Sequence, residues 1–186
     1  MDSLIDGYLH DIEELMRRLP VDEIRRLVDL LYDAYQGDRQ IFSMGNGGGA
    51  ATTSHFTCDL SKGTIVEGRP RVRAISLSDN APLMTAWAND TDYTNIFGEQ
   101  LANLARPDDV LIGLTANGLS PNINNAMLLA NERGLETVAL VGHDGGTVKQ
   151  VAKHCLIIPS DDNNHIEDVQ MLLLHMAAMR GFGPAA

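Results

Sequence analysis

The stretch QIFSMGNGGGAATTSHFTCDL, residues 40–60, carries the strongest signal for the fold. It begins with an apolar run, Gln40–Met44, whose length and composition are typical of a buried β-strand. A glycine-rich turn follows, and the residues Ala50–Ser61 then have the pattern of an α-helix. A strand that passes through a tight turn directly into a helix indicates the beginning of a βαβ unit.

The same alternation continues to the end of the chain. Five apolar runs have strand character: Gln40–Met44, Arg73–Leu77, Asp109–Leu114, Thr137–Val141 and Cys155–Ile158. The later helical stretches are Ala81–Trp87 with a continuation toward Leu104, Ser120–Arg133, Thr147–Ala152 and about Asn164 to Met179. Apolar strands separated by helices predict an α/β fold with a doubly wound, parallel, five-stranded sheet, flanked by helices in a flavodoxin-like arrangement of three layers.

Residues 1–37 precede this alternation and show the spacing of two amphipathic helices, interrupted at Pro20. These helices either cover one face of the sheet or pair with another subunit, and the sequence leaves both interpretations open. We therefore predict a single domain over residues 1–186, with N-terminal helices in 1–37 and an α/β core in 38–180.

Charge and hydropathy restrict the partners. The chain has 14 basic and 25 acidic residues and a formal net charge of −11, which argues against nucleic acid and anionic membranes as the main partner. We find no apolar stretch of transmembrane length and no signal peptide pattern, so we expect a cytoplasmic protein. A small anion remains compatible with an acidic protein, because the N–H groups at a helix N-terminus bind phosphate.

Two turns at the predicted carboxyl ends of strands are candidates for such binding. The first is Gly45–Gly49, and the second runs from Thr115 to Ser120, with side-chain donors at both of these residues and at Asn117. Each turn has a simpler interpretation, namely a tight strand-to-helix connection for the first and helix capping by Ser120 for the second. Two donor-rich turns at one edge of a sheet favour an anion-binding cleft.

Two helices carry groups that bind metals or transfer protons. His55 and Asp59 are four residues apart and share a helix face, whereas Glu167 and His175 are eight apart on the last predicted helix. Imidazole and carboxylate ligands suit a divalent metal such as zinc, and the same groups act as acid/base pairs. Histidines in the core or on the surface are the competing interpretation.

Four segments together resemble the sugar isomerase (SIS) domain family, and within it the phosphoheptose isomerases. They are SMGNGGGAATTSHFTCDL, the pair Asn89-Asp90, the turn GLTANGLSPN and the helix IEDVQMLLLH. The resemblance implies an enzyme that isomerises sedoheptulose 7-phosphate to D-glycero-D-manno-heptose 7-phosphate through an enediol, with metal assistance. It also implies a homotetramer whose sites lie at subunit boundaries.

The resemblance also implies roles for particular residues. The substrate would contact Asn46, Gly47, Gly48, Asn89 and Asp90, and the phosphate would be held by Thr115, Ala116, Asn117 and Ser120. One zinc ion per subunit would be bound by His55, Asp59, Glu167 and His175, and these positions include substrate contacts at His55, Asp59 and Glu167. Asp59 and His175 would double as the catalytic acid/base pair.

The sequence departs from the family pattern at several of these positions. Asp59 stands where Glu is usual, Glu167 where Gln is usual, Thr115-Ala116-Asn117 where Ser-Thr-Ser is usual, and Gly49 where Ser is usual. These departures keep a second hypothesis open: a non-catalytic SIS module that binds a phosphosugar, or a protein adaptor of the type that binds a replication initiator.

Overall fold

The computed structural model describes the backbone of residues 2–182 and the side chains of residues 3–179. Its helices are α1 Asp2–Arg17, α2 Val21–Gln36, α3 Gly48–Cys58, α4 Ala81–Asp90, α5 Gly98–Leu104, α6 Pro121–Glu132, α7 Val148–Val151 and α8 Asn163–Phe182. Its strands are β1 Gln40–Gly45, β2 Arg73–Ser76, β3 Val110–Thr115, β4 Glu136–Val141 and β5 His154–Ile157. A π-helical turn, Asp59–Gly63, follows α3, and a 3₁₀ turn, Tyr93–Asn95, lies between α4 and α5.

The five strands form one parallel sheet in the order β2-β1-β3-β4-β5. The prediction of an α/β, doubly wound, parallel sheet is therefore confirmed. The chain leaves β1 toward β2 on one side and later returns to pair β3 on the other side of β1. This reversal of direction opens a crevice beyond the carboxyl ends of β1 and β3, which is where such sheets bind ligands.

Side chains that alternate along the strands separate two hydrophobic cores. In β3, Val110, Ile112 and Leu114 face the first core, whereas Leu111 faces the second. The first core is completed by α1, α2, α3 and α8, and the second by α4–α7 together with the residues just before α5. Burial on both faces explains why the central strands β1, β3 and β4 are largely apolar, whereas the edge strand β2 is exposed at Arg73 and Ile75.

The two N-terminal helices pack against the sheet to different extents. Leu27 and Leu31 of α2 are buried in the first core, so α2 covers a face of the sheet. α1 contributes Leu15 to the same core but leaves Leu4 and Leu9 largely exposed. Only part of the apolar surface of α1 is therefore buried by packing within the chain.

Two helical predictions differ from the structure. The helix expected to continue from Ala81 toward Leu104 is interrupted after Asp90, where the Asp92 carboxylate accepts the Thr94 N–H at 2.8 Å. Such local side-chain bonds compete with helical hydrogen bonds and favour a turn. The helix predicted over Ala50–Ser61 is α-helical only as far as Cys58 and then widens into the π-helical turn.

Among the helices of residues 2–182, none combines the length and the apolar character that crossing a membrane requires.

Candidate active site

The register of the sheet brings the two predicted turns side by side. Gly45, the last residue of β1, lies opposite Leu114 of β3, so both strands deliver their following loops to one edge. Two amide–amide hydrogen bonds then connect the loops, because Asn46 and Asn122 each donate to the other, at 3.0 and 2.8 Å. The glycine turn, defined as Gly45–Gly49, and the polar turn, defined as Thr115–Ser120, therefore border one cleft.

The glycine turn requires glycine at two positions. Gly47 has a φ of +54°, which side chains with a Cβ rarely adopt. A Cβ on Gly45 would lie only 2.6 Å from the carbonyl of Gly49, because the chain folds back on itself. This turn begins α3 at Gly48, so the unpaired N–H groups of the first helical turn and the positive end of the helix dipole face the cleft edge.

The polar turn directs its side chains toward one another. The hydroxyls of Thr115 and Ser120 lie 3.4 Å apart, and Thr115 Oγ1 also accepts the Gly118 N–H at 3.2 Å. Ser120 occupies the position before α6, but its side chain makes no capping hydrogen bond. Capping therefore does not account for Ser120, whose hydroxyl is available together with that of Thr115 for an oxygen ligand. Asn117 supports the turn locally by accepting the Leu119 N–H.

The structure places three of the four predicted metal ligands in one cluster, which we call the histidine cluster: His55, Asp59 and His175. The two histidines are 120 residues apart in sequence, and their Nε2 atoms lie 3.1 Å from each other. Asp59 Oδ2 lies 3.4 Å from His55 Nε2 and 3.5 Å from His175 Nε2. The shorter Asp side chain therefore reaches both imidazoles.

These distances fit a tetrahedral metal centre. Ligand atoms bound to zinc at about 2.1 Å with tetrahedral angles lie about 3.4 Å from one another. The three observed separations, 3.1, 3.4 and 3.5 Å, are close to that value. The side chains of His55 and His175 are 52% and 45% exposed, so the cluster has an open side. A cavity of about 230 Å³ adjoins it, lined partly by Asp59 and His175.

Glu167, the fourth predicted ligand, lies elsewhere in the structure. A Cβ added to Gly48 would lie 2.5 Å from Glu167 Oε2, so the carboxylate lies against the N-terminus of α3. Helix geometry places Glu167 about 12 Å along α8 from His175. Within the described residues, Glu167 is accordingly not part of the histidine cluster, and it adds negative charge beside the glycine turn.

Asn89 and Asp90 end α4 and are exposed, and the amide of Asn89 donates to the carboxylate of Asp90 at 2.9 Å. The segment after them returns to the cleft, because the Tyr93 hydroxyl donates to Asn46 Oδ1 at 3.0 Å. Sequence reasoning missed Tyr93 and Asn122 as neighbours of Asn46. Asn122 could have been identified from the sequence, because it ends the polar segment GLTANGLSPN. Nothing in the local sequence singles out Tyr93.

The start of α8 is fixed by electrostatic contacts. The Asp162 carboxylate accepts the backbone N–H groups of Asn164 and His165, and these bonds hold the pKa of Asp162 below its usual value. One turn later, Asp168 accepts a hydrogen bond from the Tyr8 hydroxyl at 2.5 Å, which raises the pKa of Tyr8 to about 12. α8 is thus tied to α1 on one side, while it carries His175 toward α3.

Comparison with known proteins agrees with this architecture. Residues 7–142 match the SIS domain family. A phosphoheptose isomerase from Geotalea daltonii is 33% identical over 175 residues, which cover 92% of this chain and 91% of the relative. A phosphoheptose isomerase from a Geobacter species is 38% identical over 153 residues, covering 82% of this chain and 79% of the relative.

A solved structure extends the likeness to three dimensions. The phosphoheptose isomerase of Neisseria gonorrhoeae superposes with a TM-score of 0.88 and is 25% identical. The superposition covers 95% of this chain and 96% of the other. The N-terminal helices are therefore part of the shared architecture, in addition to the sheet.

Proposed function

We propose that this chain, which belongs to the SIS domain family and within it to the phosphoheptose isomerases, isomerises sedoheptulose 7-phosphate to D-glycero-D-manno-heptose 7-phosphate. The observation that carries the proposal is the histidine cluster, in which His55 comes from α3, the helix that begins at the glycine turn. The cluster supplies groups for proton transfer at one end of α3, and the two turns supply donors for a phosphorylated sugar at the other.

The phosphate would bind at the polar turn. The Thr115 and Ser120 hydroxyls converge there, and the backbone of Ala116 and the side chain of Asn117 complete the turn. The positive ends of α3 and α6 lie beside it, which favours an anion in an otherwise acidic protein. Sugar hydroxyls would contact the neighbouring Asn46, Gly47, Gly48 and Glu167, with Asn89 and Asp90 on the following connection.

The dimensions of the site suit a sugar of this length. Gly48 and His55 are seven residues apart on α3, so they are separated by about 10 Å along the helix axis. An extended seven-carbon chain with a terminal phosphate spans roughly 8–10 Å by ordinary bond lengths. A sugar phosphate that extends from the edge of the cleft at Gly48 would therefore be long enough to reach the histidine cluster.

His55, Asp59 and His175 are the residues that would hold one divalent ion, with zinc as the best match to two imidazoles and a carboxylate. An ion held there would polarise the carbonyl oxygen of the substrate and stabilise negative charge that develops on it. The exposed side of the cluster leaves room for that oxygen.

The reaction needs two proton movements. A base removes a proton from C1 of the ketose and returns it to C2, while a second proton passes from O1 to O2; the intermediate is an enediol. Asp59 Oδ2 faces the two imidazoles, so Oδ1 is the atom that would accept the C1 proton. His175 would move the proton between the two oxygens.

The competing hypothesis is a SIS module that binds a phosphosugar or a protein partner without turnover. The close approach of His55, Asp59 and His175 favours the enzyme, because a binding module has no need of a carboxylate between two imidazoles. The decisive experiment combines metal analysis of the purified protein with an isomerase assay on sedoheptulose 7-phosphate. One metal ion per subunit and formation of the aldose are expected. Phosphosugar binding without turnover, with or without metal, would favour the module.

We also propose that the chain forms a homotetramer through α1. Leu4, Ile5 and Leu9 are 78%, 56% and 62% exposed. Contact of these apolar side chains with water is unfavourable unless another subunit covers them. Light scattering at micromolar concentration should give four times the chain mass of 20.2 kDa. Substitution of Leu4 and Leu9 by charged residues should dissociate the assembly. A monomeric unaltered protein would contradict the proposal.

A further inference from the structure

The amide of Asn46 has nearly all of its hydrogen-bonding capacity occupied within the chain. Its Oδ1 accepts from Asn122 Nδ2 at 2.8 Å and from the Tyr93 hydroxyl at 3.0 Å. Its Nδ2 donates to Asn122 Oδ1 at 3.0 Å. An amide oxygen accepts two hydrogen bonds and an amide nitrogen donates two. One N–H of Asn46 is therefore left to bind a ligand, and its oxygen is fully used.

The orientation of this amide is fixed by a neighbour that cannot change its role. Asn122 is only 1% exposed, and its Oδ1 also accepts the backbone N–H of Ile123 at 3.0 Å. A backbone N–H can only donate, so a flipped Asn122 would direct its NH₂ group against another donor. Because Asn46 and Asn122 bond reciprocally, the orientation of one sets that of the other.

Tyr93 adds a connection between two separate segments. It lies in the 3₁₀ turn that follows α4, and its hydroxyl crosses to Asn46 beyond the end of β1. The Asp92–Thr94 bond supports the turn locally, but it does not connect the turn to the rest of the cleft. The hydroxyl of Tyr93 provides that connection, because it ties the turn to Asn46.

We infer that Tyr93 is a positioning residue for the sugar end of the substrate. By occupying the second lone pair of Asn46 Oδ1, it leaves the amide to present only an N–H, which selects a sugar oxygen as its partner. The same bond holds the segment after Asn89 and Asp90 against the glycine turn. This inference rests on the proposed function, because it assigns Asn46 to substrate binding.

The first test is Tyr93→Phe, which removes the hydroxyl and keeps the ring. Loss of one neutral hydrogen bond from a positioning contact should raise KM for sedoheptulose 7-phosphate about two- to tenfold. kcat should change less than about twofold, because Asn46 would bind ground state and transition state alike. Tyr32→Phe is the matched control, since Tyr32 is an exposed tyrosine on α2, away from the cleft, and should leave both constants unchanged.

A double-mutant cycle separates positioning from a general structural role. If Tyr93 acts through Asn46, Tyr93→Phe should have no further effect on KM in an Asn46→Ala background. Equal losses in both backgrounds would overturn the inference, as would an unchanged KM for the single variant.

Hydrogen–deuterium exchange of the ligand-free protein gives a readout that needs no turnover. The N–H groups of Asn95 and Ile96 bond within the 3₁₀ turn, and they should exchange faster in Tyr93→Phe once the turn is released from Asn46. Unchanged exchange would overturn the inference whatever the activity. If exchange is faster but the unaltered protein neither binds nor converts sedoheptulose 7-phosphate, the proposed function fails and the link from Tyr93 to Asn46 stands.

Discussion

The two ends of α3 are built in different ways. At its N-terminus, near Gly47 and Gly48, the backbone supplies the binding groups, and glycine is needed because of a positive φ and close chain approaches. At its C-terminus, side chains supply them, and His55 and Asp59 are completed by His175 from the end of the chain. The first end depends on local conformation, whereas the second depends on the packing of α8 against α3.

This difference follows from the chemistry that each end would perform. A phosphate is recognised by an array of N–H and O–H donors, which a single turn and a helix N-terminus provide. A metal centre needs lone pairs from several side chains at fixed separations, and one helix rarely provides enough of them. Variants at the two ends should therefore fail in different ways: loss of turnover at the histidine cluster, and weaker phosphosugar binding at the turns.

The largest effect is expected for His175→Ala. Removing this imidazole takes away one metal ligand and one proton-transfer group, so turnover should fall by at least about 100-fold, the lower range for acid/base catalysis. Metal content should fall as well, measured by elemental analysis. The fold should be retained, because the His175 side chain is 45% exposed.

His154→Ala is the control for that variant. His154 begins β5, the edge strand of the sheet farthest from β2, and contacts Glu136 at 3.3 Å rather than any residue of the histidine cluster. Its loss should therefore leave metal content and turnover intact. Wild-type turnover in His175→Ala would remove the enzyme assignment at this site and make the binding module the better hypothesis.

A smaller effect is expected for Ser120→Ala at the polar turn. Loss of a charge-assisted hydrogen bond should weaken phosphosugar binding by about 1–3 kcal/mol. Because the Ser120 side chain makes no capping bond, the free energy of unfolding should change less than the roughly 1 kcal/mol typical of a lost cap. Calorimetric titration and thermal unfolding measure the two quantities.

The combination of the two measurements distinguishes the interpretations of Ser120. Weaker binding with unchanged stability supports a phosphate contact, whereas lower stability with unchanged affinity would show a structural role only. Ser3→Ala, an exposed serine on α1, is the matched control and should alter neither quantity.

The sequence predicted the sheet better than it predicted the site. Each strand boundary lies within one residue of its predicted position, because apolar runs flanked by glycine and polar turns encode burial on both faces. The glycine turn and polar turn were predicted for the same reason, since they are contiguous in sequence. The π-helical turn at Asp59 was not, because no local pattern marks where an α-helix widens.

Contacts between distant residues limited the prediction of the site. Spacing placed His55 with Asp59, but the approach of His175 across 120 residues depends on how α8 packs. The spacing of Glu167 and His175 suggested a common site, whereas α8 runs alongside α3 and carries the two side chains toward opposite ends of it. The contact between Tyr93 and Asn46 also depends on tertiary structure alone.

Glu167→Gln tests directly to which end of α3 this residue belongs. If Glu167 serves the glycine turn, removal of its charge should strengthen binding of inorganic phosphate by about 0.3–1 kcal/mol, because the carboxylate no longer competes for the positive end of α3. Metal content should stay at that of the unaltered protein. Loss of metal would instead show that Glu167 joins the histidine cluster as a ligand, as the family resemblance implies.

The smallest effect concerns the side of α8 that faces α1 rather than α3. The hydrogen bond from Tyr8 to Asp168 raises the pKa of Tyr8 to about 12. This contact therefore stabilises the folded protein fully at pH values below about 10, the usual pKa of tyrosine, and the stabilisation is lost as the pH rises through about 12. An ultraviolet titration should show the ionisation of Tyr8 as a late step near pH 12. Tyr8→Phe should remove the late step, and Asp168→Asn should shift it toward 10, because an amide lacks the charge that opposes tyrosinate formation. Neither change should affect metal content, since the histidine cluster lies toward α3. A late step that persists in Tyr8→Phe would assign it to another tyrosine and would leave α1 without this link to α8.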